Sequence, residues 1–316
     1  MMKPRTISQF VAAFLLFLAI PAFFFSIISQ NQDGFQVSRR VLYQAKTARI
    51  SLSSNEVGQY VFVLGLEGTG HHMMESLWER CDGCVPVGGE FNRLYYWHSA
   101  KGKKEFTGGI FGGIDPKENQ KDYHLLVKGM RELSQRRRGK LLVLNTWANT
   151  GSAGELSYPN FKGPHRFTMH PHALQLAGAA RAAGTKVRFI VLVRSAREMI
   201  ISTTVKRSFD TPSHQIKTLE DMCHELKYTL LALDPQNFGC VDYNGLESRM
   251  LERAGEAAGF QGPTFRTTLH SIFQLGGHSS SKKKKATKPT PSLGGNALQA
   301  LEGCVSQIRL LCAKAG

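Results

Sequence analysis

Residues 60–72 read YVFVLGLEGTGHH, a short apolar run followed at once by a turn with three glycines. The first five residues favour a buried β-strand, and residues 73–80, just beyond the turn, have helical character. Glycines let a backbone turn tightly and direct N–H groups at one point, and the N-terminus of the next helix adds positive potential there. The stretch predicts an anion-binding loop; the alternative is a glycine-rich turn without a ligand.

Two further apolar runs indicate the rest of the sheet. They are KLLVL at residues 140–144 and VRFIVLV at residues 187–193. The alanine- and leucine-rich residues 171–184 between them predict a helix that ends at Gly184. Near-continuous apolar strands alternating with helices are typical of a parallel sheet that is covered on both faces. The predicted fold class is α/β, with a P-loop-like parallel sheet flanked by helices.

Composition and charge limit the possible functions. The chain has 316 residues, of which 42% are hydrophobic and 20% charged, and this excludes a wholly disordered chain, a coiled coil or a collagen. Lys and Arg number 40 against 24 Asp and Glu, which leaves a net charge of +16. Such an excess favours an anionic partner: a nucleotide, a nucleic acid, an acidic glycan or a membrane surface.

The amino terminus carries a membrane-spanning pattern. Residues 10–28 form a 19-residue run without a charge. As a helix this run is about 28 Å long, close to the hydrocarbon thickness of a bilayer. A cleaved signal peptide is the alternative, but the run is longer than a usual signal core and no A-x-A site follows it. We expect a signal-anchor helix, although the flanking positive charges are too balanced to fix its orientation.

Shifts in composition along the chain predict its organisation. The expected parts are a cytosolic tail at residues 1–9, the transmembrane signal-anchor at 10–28, a stem at 29–58, the main folded domain at 59–275, a flexible Lys/Ser/Pro-rich loop at 276–295 and a C-terminal helix at 296–316. The lysines of the flexible loop are either a solvated surface or a clamp over an anion.

The glycine turn resembles the P-loop pattern G-x-x-x-x-G-K-[ST], with one important difference. His71 and His72 stand where the lysine and the hydroxyl residue belong. Without them a kinase or NTPase loses its phosphate-binding cation and a ligand for Mg²⁺. A metal site is another interpretation of the histidine pair. Against it, adjacent side chains on a helix diverge, and the sequence has no second cluster of ligands. A phosphate-rich, metal-independent ligand is the expectation.

A second motif gives a family resemblance. Residues 192–202 read LVRSAREMIIS, in which Arg194 ends a strand and Ser202 follows eight positions later. Together with the glycine turn, this resembles the sulfotransferases that use 3′-phosphoadenosine 5′-phosphosulfate (PAPS), over roughly residues 59–273. The turn is similar to the family's 5′-phosphosulfate loop, G-x-P-[RK]-[ST]-G-T-T, and the second motif to its 3′-phosphate site.

The resemblance implies a set of donor-binding residues. The 5′-phosphosulfate falls on residues 68–72, namely Gly68, Thr69, Gly70, His71 and His72, and the 3′-phosphate on Arg194 and Ser202. The family's basic residue, which stabilises the leaving oxygen, corresponds in this chain to Gly68. We therefore expect His71 or His72 to supply that stabilisation; the alternatives are a lysine from elsewhere or a loss of activity.

The acceptor also needs a general base. Glu90, in the stretch VGGEF at residues 87–91, resembles the glutamate that follows the first helix in Golgi-type members of the family. A carboxylate among apolar neighbours has a raised pKa that suits proton abstraction. An ordinary loop carboxylate is the alternative for Glu90. Four more histidines are weaker candidates: His98, His165, His170 and His172.

The cysteines favour structural disulfides. The sequence CDGC at residues 81–84 is a single C-x-x-C, which is consistent with a redox pair, half of a zinc site or a disulfide. A disulfide is expected, either between Cys81 and Cys84 or to distant cysteines. Cys304 and Cys312 are about 12 Å apart along a helix, too far to bond to each other, so any disulfide from either must reach another segment.

These patterns together predict a function. The expected protein is a single-pass type II Golgi membrane protein with a luminal, PAPS-dependent and metal-independent sulfotransferase domain. Its acceptor is a hydroxyl or amine of a glycan, protein or small molecule, and nucleic acid is not an expected partner. The alternatives are a nucleotide kinase or NTPase with a degenerate P-loop, and an inactive protein that binds PAP (3′,5′-adenosine bisphosphate) or another anion.

Overall fold

The computed structural model describes residues 47–66, 68–87, 116–144, 173–206, 211–243, 248–275 and 295–315. Within these ranges no helix is both long enough and apolar enough to cross a membrane. The span predicted at residues 10–28 lies outside them, as does the flexible loop predicted at 276–295 except for Gly295.

Helices and strands alternate along most of the domain. In chain order they are β1 Ala48–Arg49, β2 Gln59–Gly65, α1 His71–Trp78, β3 Cys81–Asp82, β4 Cys84–Pro86, α2 Pro116–Arg136, β5 Leu141–Val143, α3 Ala173–Ala183, β6 Val187–Val193, α4 Ala196–Ile200, a π-helix Ile201–Lys206, α5 Pro212–Ala232, a 3₁₀ turn Pro235–Asn237, β7 Phe238–Asp242, α6 Ser248–Ala257, α7 Gly262–Leu275 and α8 Asn296–Ala315.

Five strands form one sheet in the order β4-β5-β2-β6-β7, and every neighbouring pair is parallel. The three strands predicted from apolar runs are β2, β5 and β6, which lie side by side at its centre. β2 is buried along its whole length. The helix predicted between β5 and β6 is α3, and Gly184 follows it at φ 74°, the left-handed conformation of a helix stop.

Alternate residues of β2 pack into two separate cores. Tyr60, Phe62 and Leu64 face a core built with α2, α3, α5 and α8. Val61 and Val63 face a second core built with α1, α6 and α7. Helices therefore cover both faces of the sheet, which confirms the predicted α/β class and explains why the strand is apolar throughout.

The connections around β2 and β6 create a crevice. The helix after β2, α1, packs on one face of the sheet, whereas α4, after β6, packs on the other. The two strands are neighbours, and Gly65 at the end of β2 pairs with Leu192. Where adjacent parallel strands send their chains to opposite faces, a crevice opens at their carboxyl ends, and ligands of α/β proteins bind there.

All six cysteines form disulfides, and the structural disulfide expected at the C-x-x-C motif is among them. Cys81 bonds to Cys84 between the short strands β3 and β4. Cys223–Cys304 joins α5 to α8, and Cys240–Cys312 joins β7 to the same final helix. The C-terminal helix is thus covalently fixed to the domain at two points.

The segment before β2 is folded against the domain. β1 pairs with β3, and Ile50 forms a bridge with Phe260. The Gly139 N–H donates to the Glu56 carbonyl at 2.8 Å. This part of the region predicted as a stem, residues 29–58, therefore packs on the domain from Ala48 onward.

Candidate functional site

The glycine turn joins β2 to α1 at the carboxyl edge of the sheet. Gly68 has φ 86° and Gly70 φ 101°, conformations that glycine adopts without strain. The buried Thr69 closes the turn, because its hydroxyl and its N–H both donate to the Leu66 carbonyl, at 2.7 and 3.1 Å. The Thr69 hydroxyl proton is therefore directed inward, and the loop presents backbone rather than this proton to the crevice.

The start of α1 is a suitable place for an anion. Gly70 is the N-cap and brings no side-chain acceptor. The first N–H groups of a helix have no partner within the helix, and they carry partial positive charge. The helix begins at His71, so the backbone of the predicted pair His71 and His72 provides these groups.

Packing fixes the identity of Gly68. A Cβ atom at this position would lie 3.0 Å from the Met199 carbonyl oxygen and 3.3 Å from Thr203 Cγ2. Both atoms belong to the continuous helical segment that follows Arg194. The loop therefore lies directly on this segment, and a lysine or arginine at position 68 would need both a strained φ and displaced neighbours. This explains why position 68 holds a glycine and not a basic residue.

Gly70 is fixed by Tyr243, the residue after β7. The Tyr243 hydroxyl donates to the Gly70 carbonyl at 3.0 Å. A Cβ atom at Gly70 would lie only 2.0 Å from the Tyr243 hydroxyl oxygen. The Tyr243 ring packs edge-on against Phe273, with ring centroids 5.0 Å apart. Burial raises the pKa of Tyr243 well above its usual value, with a smaller opposing effect from Arg194, so the hydroxyl stays protonated and able to donate.

Arg194 connects the predicted 3′-phosphate motif to the glycine turn. It follows β6 directly, and its Nη1 donates to the Gly68 carbonyl at 3.0 Å. Its Nε pairs with Glu198 Oε2 at 3.1 Å. The guanidinium carbon lies 5.5 Å from the centroid of the Tyr243 ring, within the range of a cation–π contact. The arginine side chain is only 15% exposed, so it is a largely buried cation at the carboxyl edge of the sheet.

Glu198 belongs to a capping arrangement at the start of α4. The N-cap Ser195 accepts from the Glu198 N–H at 3.4 Å, and its hydroxyl lies 3.3 Å from Glu198 Oε2. A serine followed three residues later by glutamate is the sequence signature of such a cap. The same carboxylate pairs with Arg194 and is 42% exposed. It is therefore an acid in contact with the cation of the site.

Ser202 lies on the same helical segment, one turn beyond Met199. It is in the π-helix Ile201–Lys206 and is 9% exposed. Within the described chain its hydroxyl makes no hydrogen bond, whereas the next residue, Thr203, donates to the Met199 carbonyl at 3.0 Å. Because Met199 and Thr203 also touch Gly68, Ser202 lies on the segment that supports the loop. Single π-turns occur often at functional sites.

Part of the predicted site lies outside the described residues. Glu90, the four weaker histidines and the whole of residues 145–172 are in this group, and for His71 and His72 only the backbone is described. The predicted base and leaving-group residues therefore stay predictions. The structure brings together the loop, Arg194 and the Ser202 segment.

Two residues of the site were missed from the sequence. The Ser195–Glu198 cap, placed directly after a strand and an arginine, was a signal that could have identified Glu198. Tyr243 had no such signal, because its contact with Gly70 spans 173 positions and depends on where β7 ends. No family model, no curated protein and no solved structure matches this chain.

Proposed function

We propose that the chain is a PAPS-dependent sulfotransferase whose donor lies across the crevice between β2 and β6. One observation carries the proposal: Arg194 contacts Gly68 directly, so two motifs separated by 126 positions lie side by side. An adenosine bisphosphate needs anion-binding groups for two phosphates at short range. The start of α1 offers backbone N–H groups, and Arg194 offers a guanidinium at the same edge of the sheet.

In this proposal the 5′-phosphosulfate binds at residues 68–72 and the 3′-phosphate at Arg194 and Ser202. The acceptor oxygen or nitrogen attacks the sulfur in line with the bond to the bridging oxygen. That bond breaks, and PAP leaves with the electron pair. Glu90 takes the acceptor proton, and His71 or His72 stabilises charge on the bridging oxygen. The packing around Gly68 supports a source of that stabilisation other than residue 68.

The surroundings of Arg194 define how a phosphate is recognised. Glu198 neutralises the guanidinium, so an incoming phosphate must compete with this carboxylate. Tyr243 supports the cation from below and holds the loop through Gly70. Tyr243 is therefore a positioning residue for the cation and the loop, whereas Glu198 occupies the cation until the donor binds.

A second candidate is a protein that binds PAP without transferring sulfate. The lack of a cationic side chain at position 68 favours it, because leaving-group stabilisation is then weaker. Calorimetry with PAP and ATP, together with transfer of ³⁵S from labelled PAPS to a panel of glycans, tyrosine peptides and lipids, separates the candidates. Transfer supports the sulfotransferase, PAP binding without transfer the second candidate, and Mg²⁺-dependent preference for ATP contradicts both.

The cellular location is part of the same proposal. Three disulfides are consistent with an oxidising compartment, and a luminal Golgi domain anchored at residues 10–28 is such a setting. Protease digestion of sealed microsomes tests the orientation. Protection of the C-terminal part supports it, and digestion without detergent contradicts it.

A further inference from the structure

A basic surface lies at the opposite edge of the sheet from the proposed donor site. It consists of six exposed residues, and we name it the amino-edge surface: Arg136, Arg137, Arg138, Lys140, Arg181 and Lys186. They come from the end of α2, the turn before β5, the last turn of α3 and the residue before β6. All these segments meet at the amino ends of the central strands.

Backbone contacts fix this arrangement. The Gln59 N–H donates to the Lys140 carbonyl at 3.1 Å, and the Tyr60 N–H to the Lys186 carbonyl at 2.8 Å. Lys140 and Lys186 therefore lie on either side of the start of β2. Arg131 ties the two helices together, since its Nη2 donates to the Ala182 carbonyl at 2.8 Å. The six cations thus form one patch on a rigid edge.

Little negative charge offsets this patch. Arg136, Arg138, Lys140, Arg181 and Lys186 make no ion pair with a carboxylate of the described chain. Glu56 lies beside the patch, where its carboxylate accepts from the Ser53 N–H and acts on Arg188. Basic residues at helix ends stabilise the helix dipole, but this accounts only for Arg136 and Arg181. Arg138 also donates to the Asn55 carbonyl at 2.6 Å, so Lys140 and Lys186 are the cations of the patch for which neither effect gives an explanation.

The character of the surface selects the partner. The exposed large apolar residues of the described chain are on α5 and α8, so the patch has no exposed aromatic ring for nucleic-acid bases and no apolar face for lipid. The three disulfides indicate an oxidising compartment rather than the cytosol or nucleus, which disfavours a nucleic acid as the partner. Arginines bind sulfate and carboxylate groups in a bidentate manner.

We propose that the amino-edge surface binds a linear acidic glycan at a place separate from the proposed donor site. The seven residues of β2 hold the two edges of the sheet about 20 Å apart. A long glycan is thus held on one edge of the domain while the crevice at the other edge remains accessible. This proposal does not depend on the sulfotransferase proposal, because it needs only the charge and placement of the six residues.

Fluorescence anisotropy with a labelled heparin oligosaccharide of defined length tests the proposal on the full-length protein. The variant Arg136→Gln/Arg181→Gln/Lys186→Gln removes three cations of the patch. The matched control Lys217→Gln/Arg249→Gln/Arg253→Gln removes the same charge from α5 and α6. We expect the patch variant to bind heparin at least roughly tenfold more weakly than the parent near 0.15 M salt. The number of ions released on binding, given by the slope of log affinity against log salt concentration, should fall by about two to three. The affinity of the control should change less than about twofold.

Three results would overturn it. The first is an equal loss in the patch variant and the control, since bulk charge would then explain binding. The second is tighter binding of duplex DNA, or of anionic vesicles in a patch-dependent manner. The third is displacement of heparin by excess PAP, which would place heparin at the donor site. If PAP does not bind at all, only the proposed function fails. Lys140→Gln/Lys186→Gln, which alters no helix end, must weaken binding in the same direction and replaces the first variant if that one fails to fold.

Discussion

The guanidinium of Arg194 donates a hydrogen bond to the carbonyl oxygen of Gly68, and this contact links the chain that follows β6 to the loop that follows β2. It joins the end of one strand to the loop that follows its neighbour. The same guanidinium pairs with Glu198 and lies over the ring of Tyr243. The site is therefore a connected group whose parts are tested separately by substitution.

Glu198→Gln is predicted to increase the affinity for PAP. The glutamine keeps the size of the side chain and an acceptor for Arg194, but it removes the charge that competes with a phosphate. Because the carboxylate is 42% exposed, solvent screens its effect, and we expect a gain of about two- to fivefold. Isothermal titration calorimetry measures this gain. Weaker PAP binding in a variant with an unchanged melting temperature would contradict a competing role for Glu198.

Gly68→Lys, which places a basic residue where the sulfotransferase pattern has one, is predicted to destabilise the protein. The φ of 86° and the Met199 carbonyl at 3.0 Å from a Cβ atom make a loss of about 1–3 kcal/mol the expected result. Gly68→Ala should lose most of the same stability, because the strained φ and the contacts of the Cβ atom are common to both variants.

Gly303→Ala is the matched control for that series. Gly303 is in the exposed part of α8 and a Cβ atom there meets nothing within 4 Å. Alanine should stabilise this helix by up to about 1 kcal/mol. Denaturant unfolding compares the variants, and a Gly68→Lys protein as stable as the parent would show that the loop is not held as described.

Tyr243→Phe is predicted to change the pH dependence of stability. Because burial raises the pKa of Tyr243, the folded chain keeps this proton at alkaline pH while the unfolded chain loses it above about 10. The contribution of the buried phenol is thus complete below pH 10 and falls as the pH rises further. Phenylalanine removes this fall, at a cost of about 0.5–1.5 kcal/mol for the lost hydrogen bond to Gly70 at neutral pH.

Unfolding of the parent and the phenylalanine variant by urea between pH 8 and 11 measures the difference. The difference in the free energy of unfolding between the parent and Tyr243→Phe should narrow above about pH 10. A difference that stays constant would mean that the Tyr243 hydroxyl titrates normally in the folded chain, and one that widens would mean that folding lowers its pKa; either result contradicts the burial described for this group.

The disulfides are predicted to be reduced in a definite order. Cys81 and Cys84 are partly exposed, whereas each of the other four cysteines is at most 7% exposed. Mild reduction followed by alkylation and mass spectrometry should label Cys81 and Cys84 first. Removal of Cys223–Cys304, which closes a loop of 81 residues, should cost about 4 kcal/mol, against about 2 for the short Cys81–Cys84 loop. Equal labelling of all six would contradict this order.

The central part of the fold was predictable because burial on both faces leaves a continuous apolar run in the sequence. β7 was missed, since Gly239 and Asp242 interrupt its run. The structure explains the glycine: a Cβ atom there would lie 2.4 Å from Ala254 Cα, where α6 crosses the strand. Such close packing of two elements has no local pattern in the sequence.

The site was predictable to a similar extent. The glycine loop and Arg194 are local motifs that each follow an apolar strand. Because the carboxyl ends of parallel strands lie at one edge of the sheet, the sequence predicted that the two motifs lie close together. The pairing of Arg194 with Glu198 was recognisable only by combining a strand end with a cap. The place of Tyr243 in the site follows from where β7 ends. Because β7 was not predicted, Tyr243 was not predicted either.

The most direct test of the account is a cycle of two ligands and two proteins. Calorimetry compares PAP with adenosine 5′-monophosphate, which lacks the 3′-phosphate, on the parent and on Arg194→Gln. The parent should bind adenosine 5′-monophosphate about 10- to 100-fold more weakly than PAP. Arg194→Gln should bind PAP more weakly than the parent does by a similar factor. The two losses should not add, so Arg194→Gln should bind both ligands with nearly the same affinity. Equal affinity of the parent for both ligands, or losses that simply add, would contradict the claim that Arg194 and the glycine loop bind the two phosphates of one ligand.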